Sequence, residues 1–221
     1  MEASRPRGSA GPDPEVALEK YRDQAELYDH RTRRFVEYRE RAIDRLRLKR
    51  GQTVLDVACG TGINFAPMMD RVRPSGQIVG VDLSREMLNH AQERVERHGW
   101  RNVALVESAV EDLDLGYRVD AALFSLTHDV LQSDAALAAV ARHLKPGAQV
   151  VSFGAKWPPV WNLPVRVGVW LAARRYVTTL DGLNRPWAKL EPLVPDLEVE
   201  PMAFGGAYLA AGTTALSADA G

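Results

Sequence analysis

A glycine-rich segment that follows an apolar run carries the first residues able to bind a ligand. Asp56 lies inside the run "TVLDVA", and Gly60 and Gly62 follow it in the turn "CGTG". Glycines have no side chains, so a ligand can lie directly against the backbone there. Asp82 comes twenty residues after Gly62, at the end of the run "QIVGVDL", where a carboxylate can accept hydrogen bonds from ribose hydroxyls. The pattern therefore predicts a nucleoside site.

Two better-known glycine loops differ from this segment at decisive positions. A P-loop requires Lys after its last glycine and Ser or Thr next, but Gly62 is followed by Ile63 and Asn64. A dinucleotide loop requires a third glycine, and Phe65 stands at that position, where it would obstruct close packing of the helix on the strand. We therefore predict a nucleoside without phosphates. An NAD-dependent oxidoreductase is the rival hypothesis, which a titration with NAD would settle.

Alternating strands and amphipathic helices must position these residues. The predicted strands are "TVLDVA", "QIVGVDL", "NVALVES", "VDAALFS" and "LKPGAQVVSFG", then "LEVEPMAF" and "GAYLAAGTTAL" as a hairpin. Helices are predicted over Asn64 to Val72, from Ser84 to Gly99, after Ser133, from about Val165 to Thr178, and briefly at Pro186. Repeated strand–helix units predict the α/β class: a Rossmann-like, seven-stranded, mostly parallel sheet with helices on both faces and an antiparallel last strand.

The segments "VLDVACGTG", "VGVDLS" and "LKPG", in this order, resemble the class I S-adenosylmethionine-dependent methyltransferases over about residues 50–154. The resemblance implies that the chain is an enzyme with S-adenosylmethionine as cofactor and S-adenosylhomocysteine as product. It implies that Gly60 approaches the methionine part, that Asp56 orients the amino group, directly or through water, and that Asp82 binds the ribose diol.

The other cofactor contacts implied by this resemblance surround the adenine and the methyl group. Leu83 flanks the adenine ring. In "SAVEDL", Ala109 stands where the family often has an Asp that contacts the adenine amino group, so we expect the backbone N–H of Val110 to reach the ring instead. Ser125 ends the fourth strand next to the methyl group. The predicted cofactor-binding set also contains Ala58, Gly62 and Met87.

The segment "SLTHDVL" brings His128 and Asp129 to the acceptor side of the site. A histidine there can act as a catalytic base or orient the acceptor. The alternative is a histidine in a surface loop or one that caps the next helix. We expect the other histidines at the surface: His30, His90, His98 and His143.

Aromatic residues at both ends of the chain are candidates to cover the site. The segment "YRDQAELYDHRTRRF" resembles a helical lid in which Tyr28 closes over the cofactor and Tyr21 reaches the acceptor pocket. Trp157 and Trp161 are predicted to line that pocket, which would suit a flat apolar or cationic acceptor. The alternative for the tyrosines is helix packing. For the tryptophans, including Trp170 and Trp187, the alternatives are core packing or contact with lipid.

These expectations divide the chain as follows. Residues 1–13 are predicted to be a disordered leader, and residues 14–50 two helices, about Pro14–Asp29 and Thr32–Leu48, that form the lid. Residues 51–215 form the Rossmann-like domain, with an acceptor-wall insertion at about 156–195, and residues 216–221 a tail.

Composition limits the partners. The net charge of -1 gives no reason to expect nucleic acid, and no metal site is predicted. The one cysteine and the absence of an apolar signal core favour a reducing, cytoplasmic location. The sequence from Arg31 to Arg50 contains nine basic residues and three acidic ones. This run predicts a solvated helix face or, alternatively, peripheral contact with an anionic membrane.

The segment "YDHRTRRFVEYRERAI" resembles the ubiquinone/phosphatidylethanolamine-type methyltransferases. The predicted function is therefore methyl transfer to a small-molecule acceptor, a natural product or other metabolite, at nitrogen, oxygen or carbon. An alternative is N-methylation of phospholipid or betaine-lipid headgroups. A hypothesis of another class is a cofactor-binding module without catalysis.

Overall fold

The computed structural model describes residues 35–215. The strands are β1 Thr53–Val57, β2 Gln77–Asp82, β3 Val103–Glu107, β4 Val119–Ser125, β5 Leu144–Ala155, β6 Glu198–Met202 and β7 Ala207–Thr213. The helices are α1 Val36–Arg45, α2 Phe65–Val72, α3 Arg85–His98, α4 His128–Leu131, α5 Asp134–Arg142 and α6 Leu163–Tyr176. Within this part of the chain, none of the helices is long and apolar enough to cross a bilayer.

All seven strands form one sheet in the order β3-β2-β1-β4-β5-β7-β6. Strands β1 to β5 are parallel to one another, and β7 runs antiparallel to both of its neighbours, β5 and β6. The sheet therefore confirms the predicted α/β fold with its antiparallel last strand. The change of strand order next to β1 places the ends of β1 and β4 side by side, where open α/β sheets bind ligands.

Both faces of the sheet are covered. On one face, α1, α2 and α3 bury Ile43, Phe65, Met68 and Leu88 against the strands. On the other face, α5 and the segment before β6 bury Leu137, Val140, Trp187, Leu190 and Val194. Side chains of adjacent strand residues point to opposite faces, so the almost wholly apolar strands supply both cores.

Three helix ends agree with the sequence signals. The Ser84 hydroxyl accepts the N–H of Met87 at 3.2 Å, and Ser133 does the same for Ala136. Gly99 ends α3 in the left-handed conformation, with φ 66°. These contacts satisfy backbone groups that the helices leave unpaired, and they fix where α3 and α5 begin.

Several predicted boundaries were wrong. Helix α6 begins at Leu163, before Pro164 rather than after it, because a proline is compatible with the first turn. The segment at Pro186 forms only a 3₁₀ turn, Ala188–Leu190. Helix α1 is shorter than the predicted Thr32–Leu48 helix, and the Pro14–Asp29 helix lies outside the described residues.

The basic run is largely engaged by the protein itself where it is described. Arg41 and Arg45 of α1 pair with Glu200 and Glu198 of β6 at 2.5 and 2.7 Å. Arg39 is buried. The described part of this run is therefore a helix face bound to the edge of the sheet, and contact of the run with an anionic membrane stays a prediction.

The ring of Phe65 occupies space that two glycines leave open. A Cβ atom at Gly62 would lie 2.5 Å from this ring, and one at Gly80 would lie 2.7 Å from it. From the sequence alone, Phe65 is expected to obstruct packing of the helix on the strand. Instead, Gly80 of β2 makes room for it, and Phe65 is fully buried.

We expect Phe65→Ala to destabilise the fold by about 3–5 kcal/mol, because it empties a space that no neighbouring side chain can fill. Chemical denaturation measures the change. The matched control is Phe204→Ala, since Phe204 is 86% exposed, and its effect should stay within about 0.5 kcal/mol. Similar losses for the two variants would contradict the packing described.

Candidate functional site

The carboxyl ends of β1, β2 and β4 lie at one level of the sheet. Val57 of β1 pairs with Val81 of β2 and with Phe124 of β4. The residues that follow each strand therefore emerge at the same edge. The structure brings together there the glycine turn, Asp82 and the segment that contains His128.

Asp82 joins two of these loops. One carboxylate oxygen accepts the N–H of Gly60 at 2.8 Å, and the other accepts the N–H of Ser84 at 2.9 Å. Burial raises the pKa of Asp82 above its ordinary value, and the two N–H donors oppose that rise. A carboxylate oxygen can accept more than one hydrogen bond, so both oxygens can still receive ligand hydroxyls.

Three residues of the glycine turn adopt the left-handed backbone conformation. Ala58, Gly60 and Gly62 have φ values of 51°, 55° and 68°. Glycine adopts this region freely, but an alanine there is strained. The Cys59 N–H bonds the Val81 carbonyl at 2.9 Å and ties the turn to β2. The turn is therefore held in one shape before any ligand binds.

Asp56 is fully buried beneath this turn, and Asn64 is its hydrogen-bond partner. The Asn64 amide donates to both carboxylate oxygens, at 3.1 and 3.3 Å. Burial raises the pKa of Asp56 to about 8, although Asn64 and the nearby Arg39 guanidinium lower it. Sequence reasoning missed Asn64 and Arg39 as parts of this site. In the sequence, Asn64 is notable only as a mismatch to a P-loop, and Arg39 only as one charge in a basic run.

The residues predicted around the adenine lie beyond β2 and β3. Leu83 is partly exposed at the end of β2, and Met87 is buried in the first turn of α3. The N–H of Ser108 bonds the Asp82 carbonyl at 3.1 Å, which brings the segment of Ala109 and Val110 to the same edge. Their contacts with a cofactor stay predictions.

The loop after β4 continues the site. Ser125 is partly buried, and the next residue, Leu126, has a φ of 62°. The Leu126 N–H bonds the Phe153 carbonyl of β5 at 2.8 Å. Thr127 and His128 are consequently turned inward and are almost fully buried.

His128 is held in a defined orientation. Its Nε2 lies 2.9 Å from the carbonyl oxygen of Asp181, an acceptor, so Nε2 carries the proton and Nδ1 has the lone pair. Nδ1 is buried and has no hydrogen-bond partner in the described part of the chain. Burial lowers the pKa of His128, which favours the neutral ring. A neutral ring with a free lone pair is the form that can accept a proton.

Asp129 has a structural contact. Its carboxylate accepts the N–H of Thr178 at 2.9 and 3.1 Å, so it holds the chain that leaves α6 against α4. This bond also supports the position of Asp181, three residues further on. Direct contact of Asp129 with an acceptor stays a prediction.

The tryptophans separate into different environments. The Arg166 guanidinium covers the Trp157 ring at 4.7 Å, and Trp161 is 78% exposed. Trp187 packs on Tyr208 in the core, with ring centroids 4.8 Å apart. One face of Trp157 therefore already carries a cation. The lid residues Tyr21 and Tyr28 lie outside the described residues.

The prediction of a surface position was wrong for His143. It is buried, with Nδ1 2.8 Å from the Ala139 carbonyl and Nε2 accepting the Leu115 N–H at 3.1 Å. It follows α5 at the edge of the sheet opposite to the site. Both ring nitrogens are occupied, so its role is to join two segments.

Comparison with known proteins agrees with this geometry. Residues 54–147 match a family profile described as a methyltransferase domain, which covers the glycine turn and both acids. This match, together with the Rossmann-like fold, confirms the resemblance to the class I S-adenosylmethionine-dependent methyltransferases seen in the sequence.

Individual proteins are similar to this chain at modest sequence identity. The demethylmenaquinone methyltransferase of Listeria welshimeri is 30% identical over 152 residues, covering 66% of this chain and 62% of that protein. The chain thus spans less than two thirds of the length of the curated relatives that it matches.

Two solved structures show the same fold. A SAM-dependent methyltransferase from Aquifex aeolicus has 21% identity and a TM-score of 0.63, covering 87% of this chain and 97% of its own. The N-methyltransferase NodS from Bradyrhizobium japonicum, in complex with S-adenosyl-L-homocysteine, has 15% identity and a TM-score of 0.65, covering 90% and 98%.

The raised pKa of Asp56 predicts a pH dependence of stability. The folded state keeps a proton up to about pH 8, whereas the unfolded carboxyl, near its ordinary 3.8, has lost it. The contribution of this group is therefore greatest below its unfolded pKa, and stability falls as pH rises from about 4 to 8. Asp56→Asn cannot ionise, so its unfolding midpoint should decrease less than that of the wild type across this window. Parallel midpoint curves for the two proteins would contradict the assignment.

Proposed function

We propose that this protein transfers a methyl group from S-adenosylmethionine to a small-molecule acceptor. The observation that carries the proposal is the Asp82 carboxylate bonded to the N–H of Gly60. This bond holds Asp82, the acid that we assign to the ribose, directly against the glycine turn. The match of residues 54–147 to a methyltransferase domain supports the same activity.

Buried polar atoms near this turn support the choice of cofactor. Asn64 Oδ1, Thr127 Oγ1 and His128 Nδ1 are buried without a hydrogen-bond partner among the described residues. All three follow the carboxyl ends of β1 or β4. Since such groups are costly to leave unpaired, they suit a polar ligand that reaches into this edge. A cationic amino acid moiety would also suit the two acids, Asp56 and Asp82.

The residues then have separate tasks. Asp82 binds the ribose hydroxyls, Asp56 orients the amino group, and the turn at Gly60 accommodates the methionine part. Leu83, Met87, Ala109 and Val110 surround the adenine. Bound S-adenosylmethionine supplies a methyl group on a positively charged sulfur, which is already a strong electrophile. The protein has to align the acceptor and exclude water.

His128 is the proposed base on the acceptor side. When the acceptor atom carries a proton, that proton passes to Nδ1, and the electron pair it leaves forms the new bond to the methyl carbon. The electrons of the broken sulfur–carbon bond stay on sulfur. The Asp181 carbonyl, bonded to the Nε2 proton, stabilises the ring as it becomes positively charged. Ser125, Asp129, Trp157 and Trp161 would border the acceptor.

A quinone is the acceptor class that the comparisons favour, because several curated relatives are named demethylmenaquinone methyltransferases. We propose that residues 156–195 form the acceptor wall and that residues 14–50, with Tyr21 and Tyr28, form the lid. We also propose that the enzyme acts in the cytoplasm, as its one cysteine favours.

A screen that follows S-adenosylhomocysteine formation from a demethylated quinone and from phosphatidylethanolamine tests the acceptor class. Turnover of the lipid alone would favour headgroup N-methylation, and turnover of neither quinones, lipids nor small aromatic metabolites would favour a binding module.

Removal of the Asp82 carboxylate should weaken S-adenosylmethionine binding at least about tenfold. The ribose hydroxyls lose a charged acceptor, worth about 1.5–3 kcal/mol, and the turn loses its tie at Gly60. Isothermal titration calorimetry of Asp82→Ala measures the change.

The control for this variant is Asp120→Ala. Asp120 also accepts a backbone N–H, from Thr53 at 2.8 Å, but it lies at the opposite edge of the sheet. The Asp120→Ala variant should be less stable than the wild type but should bind S-adenosylmethionine with the same affinity. Unchanged affinity of a folded Asp82→Ala variant would overturn the ribose assignment.

Substitution of His128 tests the acceptor side. His128→Ala should lower kcat by roughly 10²–10⁴-fold if the ring removes a proton, with little change in S-adenosylmethionine affinity. Because burial lowers the pKa of His128, the wild-type rate should decline only below the ordinary range of histidine, as the ring gains a proton. S-adenosylhomocysteine production against pH measures both effects.

His143→Gln is the control for loss of a buried histidine, since His143 lies far from the carboxyl edge. It should lower the unfolding midpoint and leave kcat unchanged. If the acceptor needs no base, the loss in His128→Ala should be small and appear mainly in acceptor KM. An Ala variant with normal kcat and KM would place His128 outside the site.

A further inference from the structure

Helix α6 presents apolar side chains to solvent along one face. Leu163, Val167, Trp170 and Leu171 are exposed, at the spacing i, i+4, i+7 and i+8 that places residues on the same side of a helix. Val169 and Ala173 of the same helix are buried. The helix therefore has an inner apolar side against the protein and an outer apolar side that no residue between 35 and 215 covers.

Phe204 extends this surface. It is 86% exposed and has a φ of 54°, a strained conformation for an aromatic residue. The Asn162 amide donates to the Phe204 carbonyl at 3.1 Å, just before α6 begins. A Cβ atom at Gly206 would meet Val165 of α6 at 2.7 Å, so the Phe204 loop lies directly against the helix. We define Leu163, Val167, Trp170, Leu171 and Phe204 as the interfacial patch.

The sequence that contains α6 carries positive charges only. Residues 156–180 contain Lys156, Arg166, Arg174 and Arg175 and no acidic residue. The Arg174 guanidinium lies 4.6 Å from the centre of the Trp170 ring. Tryptophan and arginine are the residues that occupy the boundary between lipid headgroups and acyl chains, where the ring faces the chains and the cation reaches phosphates.

From this combination we infer that the protein binds an anionic bilayer surface through α6 and the Phe204 loop. The helix lies in the plane of the interface, with the interfacial patch inserted below the headgroups and the Arg174 guanidinium at their level. The outer side of α6 is then buried by lipid. The surface follows β5 and the β6–β7 turn, so it borders the proposed acceptor wall.

Co-sedimentation with vesicles tests the inference. The protein should bind vesicles of equal parts phosphatidylcholine and phosphatidylglycerol at low salt, bind pure phosphatidylcholine less, and dissociate as salt rises. Leu171→Gln removes a leucine that is 60% exposed and adds no charge, and it should weaken binding about tenfold or more. Val167→Gln should act in the same direction.

Tyr117→Gln is the matched control, because Tyr117 is 44% exposed and precedes β4 at the opposite edge of the sheet. Its vesicle binding should equal that of the wild type. Circular dichroism and unfolding midpoints establish that each variant is folded.

Three results would overturn the inference: no binding to anionic vesicles at low salt, equal losses in Leu171→Gln and Tyr117→Gln, or folded Leu171→Gln and Val167→Gln variants that bind like wild type. Sedimentation velocity without lipid adds a further outcome. A dimer that Leu171→Gln dissociates, together with absent vesicle binding, would make the patch an interface between copies. These measurements need neither cofactor nor acceptor, so their outcome is independent of the proposed methyl transfer.

Discussion

The hydrogen bond between the Gly60 N–H and the Asp82 carboxylate is the constraint on which the proposed site depends. It is available only because β1 and β2 are parallel neighbours whose ends are level, with Val57 opposite Val81. A shift of one residue in this register would turn the Asp82 side chain to the other face of the sheet. Both strands are buried on both faces, so such a shift would also require both cores to repack. The chemistry of the site is thus set by the packing of the core.

Asp56 and Asp82 lie in one buried region, and their negative charges repel each other when both are ionised. Burial raises the pKa of Asp56, and the neighbouring Asp82 raises it further. The fold offsets part of this cost with the Asn64 amide and with Arg39 from α1, which brings a guanidinium close to the end of β1. The remaining cost is a reason for the site to favour a ligand with positive charge, since such a ligand would relieve both carboxylates. The same arrangement explains why Arg39 is buried while Arg41 and Arg45 bind the edge strand.

Local signals in the sequence predicted most of the fold. Ser84, Gly99 and Ser133 act through neighbouring backbone groups, so their positions as helix ends could be predicted from spacing alone. The glycine turn and Asp82 could be predicted because both follow recognisable strands. Asn64, Arg39 and the Asp181 carbonyl could not, because their partners are distant in sequence or belong to another element. Phe65 shows the same limit, since only the contact with Gly80 makes its size acceptable. Whether Trp157 or Trp187 faces a ligand or the core was likewise a question of tertiary contacts.

The position of β7 has a consequence for how the chain assembles during synthesis. β7 follows β6 in the sequence, but in the sheet it lies between β5 and β6. While the ribosome is still adding residues 207–213, β5 has one side of its backbone unpaired, and β6 has no strand to join. An unpaired edge of this kind can capture a strand from another chain. The final strand therefore acts as a closing element, and the nascent protein is most exposed to misassembly just before it emerges.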